Sequence, residues 1–221
     1  MLSPSESRRA LTLVADAAVA DATRLAAMGA EAVTAGVPEV IAYYSLGSAA
    51  LAADHYDDSR LAAGARGRFT AEPVIPDRAE KIRRASLWAV KPLFDATIAQ
   101  TAESRIAEVV QLEVARAHRE TTIQNAKIDP ESLGWSRVTR ADSCKFCLMA
   151  AAKGAIYKTE VSARFSAHTN CNCAAQAWFK GQKVGPEADV LQYLASERTR
   201  TAAEKARLRN YLNGTFPDAP G

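Results

Sequence analysis

With 221 residues, 48% of them hydrophobic and 24% charged, the chain is long enough to bury a core without covalent staples, as one domain or two. A net charge of +3 gives no whole-chain drive towards nucleic acid or a membrane surface. The opening residues show no apolar leader, and no uncharged apolar run of about 18 residues occurs, so the expectation is a protein without a membrane span, working in a reducing cytoplasm.

Ser3-Pro4-Ser5-Glu6 reads as a capping box with proline at the first helical position. Leu11, Val14, Ala18, Ala22 and Leu25 then recur at helical spacing up to Gly29. A second helix is expected from Pro38 through Tyr44 and Leu51, fading in the polar run 55–59. The segment 64–68, followed by Pro73 and Pro76, reads as a loop, and Asp77-x-x-Glu80 opens a third helix interrupted near Pro92. From Leu93 the stripe Phe94, Ile98, Ala102, Ile106, Val109, Val110, Val114 and Ala117 predicts one long helix to about Asn125, spanning roughly 45–50 Å.

Asp129-Pro130 breaks that helix, and the pattern becomes short-range and mixed. Strands are expected over 135–140 and 174–179, a helical turn over 147–153, and a last helix from Pro186 to about Asn213 before a frayed tail. The fold class that follows is mainly α: a helical domain over 1–128, a small α+β Cys/His metal-binding module over 129–183, and a C-terminal helix and tail over 184–221.

All four cysteines fall between positions 144 and 173, together with one of the three histidines. Cys144-x-x-Cys147 lets two thiolates converge on one cation, and zinc prefers four soft or borderline ligands in a tetrahedron. His168 and Cys171 can meet on a tight turn, while Cys171 and Cys173, two apart, would share one side of a strand. Five candidate metal ligands thus compete for four places: Cys144, Cys147, His168, Cys171 and Cys173. Cys171 is favoured over Cys173 as the fourth, leaving Cys173 to pack inward. One structural zinc per chain is expected, its loss unravelling about 140–180. The competing readings are cysteines buried as small apolar residues, a thioredoxin-type redox pair, and a papain-like catalyst.

The run Ala141-Asp142-Ser143-Cys144-Lys145-Phe146-Cys147-Leu148-Met149-Ala150, then Gly154-Ala155-Ile156-Tyr157, then Phe165-x-x-His168-x-x-Cys171-x-Cys173 resembles the C-terminal signature of MuF-like minor head proteins. These are head-morphogenesis proteins of tailed bacteriophages, and the version with both cysteine pairs is that of phages infecting actinobacteria. The resemblance covers about residues 135–180. It implies a virion protein inside the capsid, assembled in the host cytoplasm, with the portal protein and the major capsid protein as partners and the packaged DNA as a further contact. Tyr157 and Phe165 would be packing positions. Some relatives are labelled capsid maturation proteases, but the sequence shows no protease motif.

Other residues read more simply. His118, beside Arg116 and Arg119, belongs to a solvated helix face, and His55 to a helix end rich in turn formers. The segment 64–68 is a flexible basic loop without the ending of a phosphate-binding loop. Trp88, Trp135 and Trp178 are core anchors. The expectation is a structural head protein rather than an enzyme. The alternatives are a capsid maturation protease and a zinc-dependent nucleic-acid-binding module, the latter disfavoured by the near-neutral charge.

Overall fold

Ser3 starts the first helix as the sequence expects. Its Oγ accepts from the Glu6 amide at 3.3 Å while the Glu6 carboxylate accepts from the Ser3 amide at 2.8 Å, with Pro4 in the first turn. The computed structural model describes residues 3–139, 145, 147–148, 173–182, 202–215 and 217. Its elements are α1 (Pro4–Arg24), α2 (Ala30–Ala62), α3 (Ala79–Ala89), α4 (Ala102–Ile128), β1 (Ser132–Val138), β2 (Ala174–Phe179) and α5 (Ala202–Thr215). The described residues are mainly helical, as the composition and periodicity require.

Two helices differ most from the sequence pattern, and β1 runs Ser132–Val138 where 135–140 is expected. α2 begins eight residues before Pro38 and carries that proline inside it, so it runs 33 residues, about 50 Å, past His55 to Ala62. A single missing N–H is outweighed by burial of Val33, Val37, Ile41, Ala49, Ala52, Ala53 and Tyr56 along one side. Gly29, at φ +97°, makes the break from the short 3-10 turn Leu25–Met28 into α2. α4 instead starts later than its apolar stripe suggests. Asp95 takes the amide and hydroxyl of Thr97 at 3.0 and 2.6 Å in a turn, and Thr101 caps the helix by accepting from the Ser104 amide. Phe94 therefore lies outside the helix and is exposed.

α1, α2, α3 and α4 enclose a first core of Ala15, Ala18, Ala22, Val33, Val37, Ile41, Ile106, Val110 and Val114. A second lies further along α2 and α4, where Tyr56, Ile123 and Ala126 meet Trp135, Ala175, Ala177 and Phe179 of the two strands. The strands pair antiparallel, with Trp135 opposite Ala177 and Arg137 opposite Ala175. An irregularity in register between Ser132 and Gly134 uses the positive φ of Gly134 (+126°). The ribbon thus packs on the helices rather than standing apart from them, and Ala174 adds a contact to Leu11 and Ala115.

The segment between α2 and α3 is tied down. Asn125 accepts from the Glu72 amide at 3.0 Å and donates to the Glu72 carbonyl at 2.8 Å. Thr121, one turn earlier, does the same for Val74 at 2.9 and 3.3 Å. Two polar side chains of α4 so replace a strand partner for the backbone. The preceding loop is clasped by Arg60, which donates to the carbonyls of Arg66 and Gly67. The sequence reading of a flexible basic loop missed that clasp, which comes from a residue outside the loop.

Candidate metal centre at the end of the ribbon

Of the five ligand candidates, Cys147 and Cys173 are described; Cys144, His168 and Cys171 lie outside the described residues, as does most of the chain between the strands. Both described cysteines are buried, each 1% exposed. Cys173 immediately precedes β2, at the end of the ribbon where Val138 pairs with Ala174. Cys147 reaches the same end from the other half of the motif: the Arg137 guanidinium donates to its Sγ at 3.7 Å. Continuing strand alternation back from Ala175, the partner of Arg137, puts Cys173 on the face that carries Arg137.

A second arginine fixes the Cys173 backbone. Arg119 of α4 donates from Nη1 to the Cys173 carbonyl at 3.3 Å and from Nη2 to the Leu112 carbonyl at 3.2 Å. Arg119 and Arg137 are both buried. Buried thiols facing a guanidinium suit a ligand set that binds as thiolate, because the cation favours the charged sulfur. The residues present therefore fit zinc on the chemistry of their donors. Cys147 would serve from the CxxC turn, with Cys173 either as ligand or packed inward; its burial serves both roles. Among the described residues no group of three metal-ligating side chains is assembled.

Beside this end of the ribbon is a polar nest built around two histidines. His118 is fully buried, contrary to the expected solvated face, and His55 is buried within α2, two turns before its end, rather than at a helix end. His55 Nε2 and Gln176 Oε1 of β2 are 2.9 Å apart, and Gln176 Nε2 donates to Ser59 Oγ at 3.4 Å. Burial, then the neighbouring His55 and Arg119, pushes the His118 pKa down to about 3. The signal was in the sequence: Val110, Val114, His118 and Thr122 are spaced four apart, and all are buried. Arg137 was legible in the same way, two residues from Trp135 on one strand face. Of the tryptophans, Trp135 is buried. Trp88 and Trp178 are half-buried, one under the Arg105 guanidinium at 4.3 Å and the other donating to Ser136 Oγ at 2.7 Å.

A groove of about 400 Å³ opens between α2, residues 75–79 and α4. In its lining Arg78 and Arg116 both reach Glu113, at 2.6 and 3.3 Å, and Glu39 and Asp77 add two further carboxylates. No described helix is long and apolar enough to cross a membrane.

The model of the VG15 protein family matches residues 4–196, running from the first helix through the whole Cys/His run. The chain belongs to the VG15 protein family. VG15 proteins are a phage protein family, so the expectation of a phage protein holds at that level. Among curated proteins and solved structures, none matches the chain. The VG15 match treats the helices and the Cys/His run as parts of one family unit, and the packing of the ribbon on α2 and α4 gives that unit a physical basis.

Proposed function

We propose that this VG15 protein is a structural minor head protein of the MuF-like type, built into the phage head beside the portal and major capsid proteins and facing the packaged DNA. The family match over residues 4–196 carries the reading, because it puts the helical half and the cysteine run together in a phage protein. The motif resemblance over about 135–180 narrows it to head morphogenesis. In this reading one zinc ion is held by Cys144, Cys147, His168 and one of Cys171 or Cys173. Four protein ligands close a zinc site, whereas a catalytic zinc keeps a position for water, so five candidates favour a structural ion. That ion would cross-link the chain between β1 and β2, and the residues around it supply the buried surroundings and the counter-charge.

The test is quantitative mass spectrometry on precursor heads and mature particles, with the protein expected in both at a few copies per portal. Absence from both would overturn the head assignment. A well-folded, normally incorporated His168→Ala variant that stops capsid-protein cleavage would favour a maturation protease instead. Metal analysis of protein purified without chelator is expected to find stoichiometric zinc, reduced in Cys144→Ser and Cys147→Ser. No zinc in the parent, or full retention in both variants, would remove the metal from the proposal.

A further inference from the structure

We propose that Arg137, with Arg119 behind it, is a positioning residue for the zinc ion, holding the Cys147 sulfur and balancing the negative charge of a cysteine-rich site. This rests on the zinc reading above. Three thiolates around one divalent ion leave a net negative charge, and four leave more. Such a charge is costly below the protein surface unless a cation or oriented donors meet it. Arg137 is 6% exposed and Arg119 2% exposed, an expensive placement for two guanidinium groups.

The geometry gives each a task at the ribbon end. Arg137 Nη1 donates to Cys147 Sγ at 3.7 Å, a usual length for a donor on sulfur, so the contact acts on a ligand atom itself. Arg119 Nη1 donates to the Cys173 carbonyl at 3.3 Å and thereby anchors the return of the chain into β2 on α4. β1 supplies one arginine, α4 the other, and the two contacted cysteines come from opposite halves of the motif. At the ribbon end Arg137 contacts a cysteine sulfur, and a hydrogen bond of this kind is stronger when that sulfur is a thiolate.

The test is zinc affinity of the full chain by competition with a chromophoric chelator, comparing the parent with Arg137→Met and Arg137→Gln. Glutamine keeps an N–H donor and removes the charge. Outer-shell partners of metal ligands typically contribute about 10- to 100-fold in affinity. Arg137→Met is expected to lose about that much, and Arg137→Gln to lie between it and the parent. Cobalt substitution gives a second readout, a shifted thiolate-to-cobalt absorption band in Arg137→Gln, which decides the matter if Arg137→Met does not fold. Zinc in the parent with unchanged affinity and band in Arg137→Gln would overturn the role of Arg137 and leave the zinc reading standing. No zinc in the parent would overturn both.

Discussion

His118 sits on α4 with both ring nitrogens lacking a hydrogen-bond partner among the described residues. With its pKa pushed down to about 3 by burial, the folded protein keeps this imidazole neutral. The unfolded chain, with an ordinary value near ~6.5, takes up the proton first. The unfolded state therefore binds more protons across that window. The stability tied to His118 is present above about pH 6.5 and lost as pH falls towards about 3, at up to about 1.4 kcal/mol per unit. His118→Leu keeps the volume, removes the titration and leaves no ring nitrogen without a partner. Denaturant midpoints at about pH 7.5 and about pH 4.5 are expected to differ less in the variant than in the parent. Equal differences would mean that other groups set the acid limb. The same physics explains why the residue was misplaced from sequence: Arg116 and Arg119 on either side read as a wet face, although spacing from Val114 aims the ring inward.

At the scale of elements, α2 and α4 are locked where both end. Arg60 Nε donates to Asp129 Oδ2 at 2.9 Å, Tyr56 Oη donates to the same oxygen at 3.2 Å, and the Glu131 amide donates to Asp129 Oδ1 at 2.9 Å. The Asp129 side chain is wholly buried and that of Arg60 nearly so. Asp129→Ala would strand the guanidinium, the phenol and an amide at once. Breaking a buried pair from one side costs about 3–5 kcal/mol. Urea unfolding of Asp129→Ala is expected to show a loss in that range, and adding Arg60→Met to recover part of it. A loss under about 1 kcal/mol would show that the pair contributes little. Asp129 was legible only as a helix breaker, because its partner lies on another helix and no local spacing encodes that meeting. Of the strands, 174–179 was read in full although half of it is alanine, and the other was placed at 135–140, three residues late at its start; what marked both was their shortness between turn-forming residues. Helix starts were read less well. Thr101 and Gly29 set them, yet each competed with a longer apolar stripe or with a proline that looked decisive. The cysteine run announced itself by clustering, but the arginines that contact it, Arg137 at the Cys147 sulfur and Arg119 at the Cys173 carbonyl, come from positions that only the fold brings near.

For the whole molecule, α2 and α4 act as shared beams. The first core uses Val33, Val37 and Ile41 of α2 with Ile106, Val110 and Val114 of α4; the second uses Ala53 and Tyr56 with Ile123 and Ala126. The ribbon closes the second core: Phe179, fully buried, meets the Tyr56 ring edge-on at 5.2 Å, and Trp135 is 2% exposed. Burying an aromatic side chain of this kind contributes roughly 1.5–3 kcal/mol, so losing both, with Ala175 and Ala177, removes a large share of a typical margin of about 5–15 kcal/mol. A fragment ending at Glu131 retains the Arg60–Asp129 lock and lacks β1 and β2, which isolates the ribbon's packing from the ion pair. That fragment is expected to bind a hydrophobic dye, associate in light scattering and unfold at lower denaturant than the full chain. A monodisperse fragment with the full chain's midpoint would show instead that the helices fold independently, as the boundary at 128 drawn from sequence supposes. The two outcomes also separate what removal of the proposed zinc would do. If the ribbon is part of the core, chelation reaches α2 and α4 through Phe179 and Trp135 and shifts the helical signal. If it is not, chelation leaves that signal where it was.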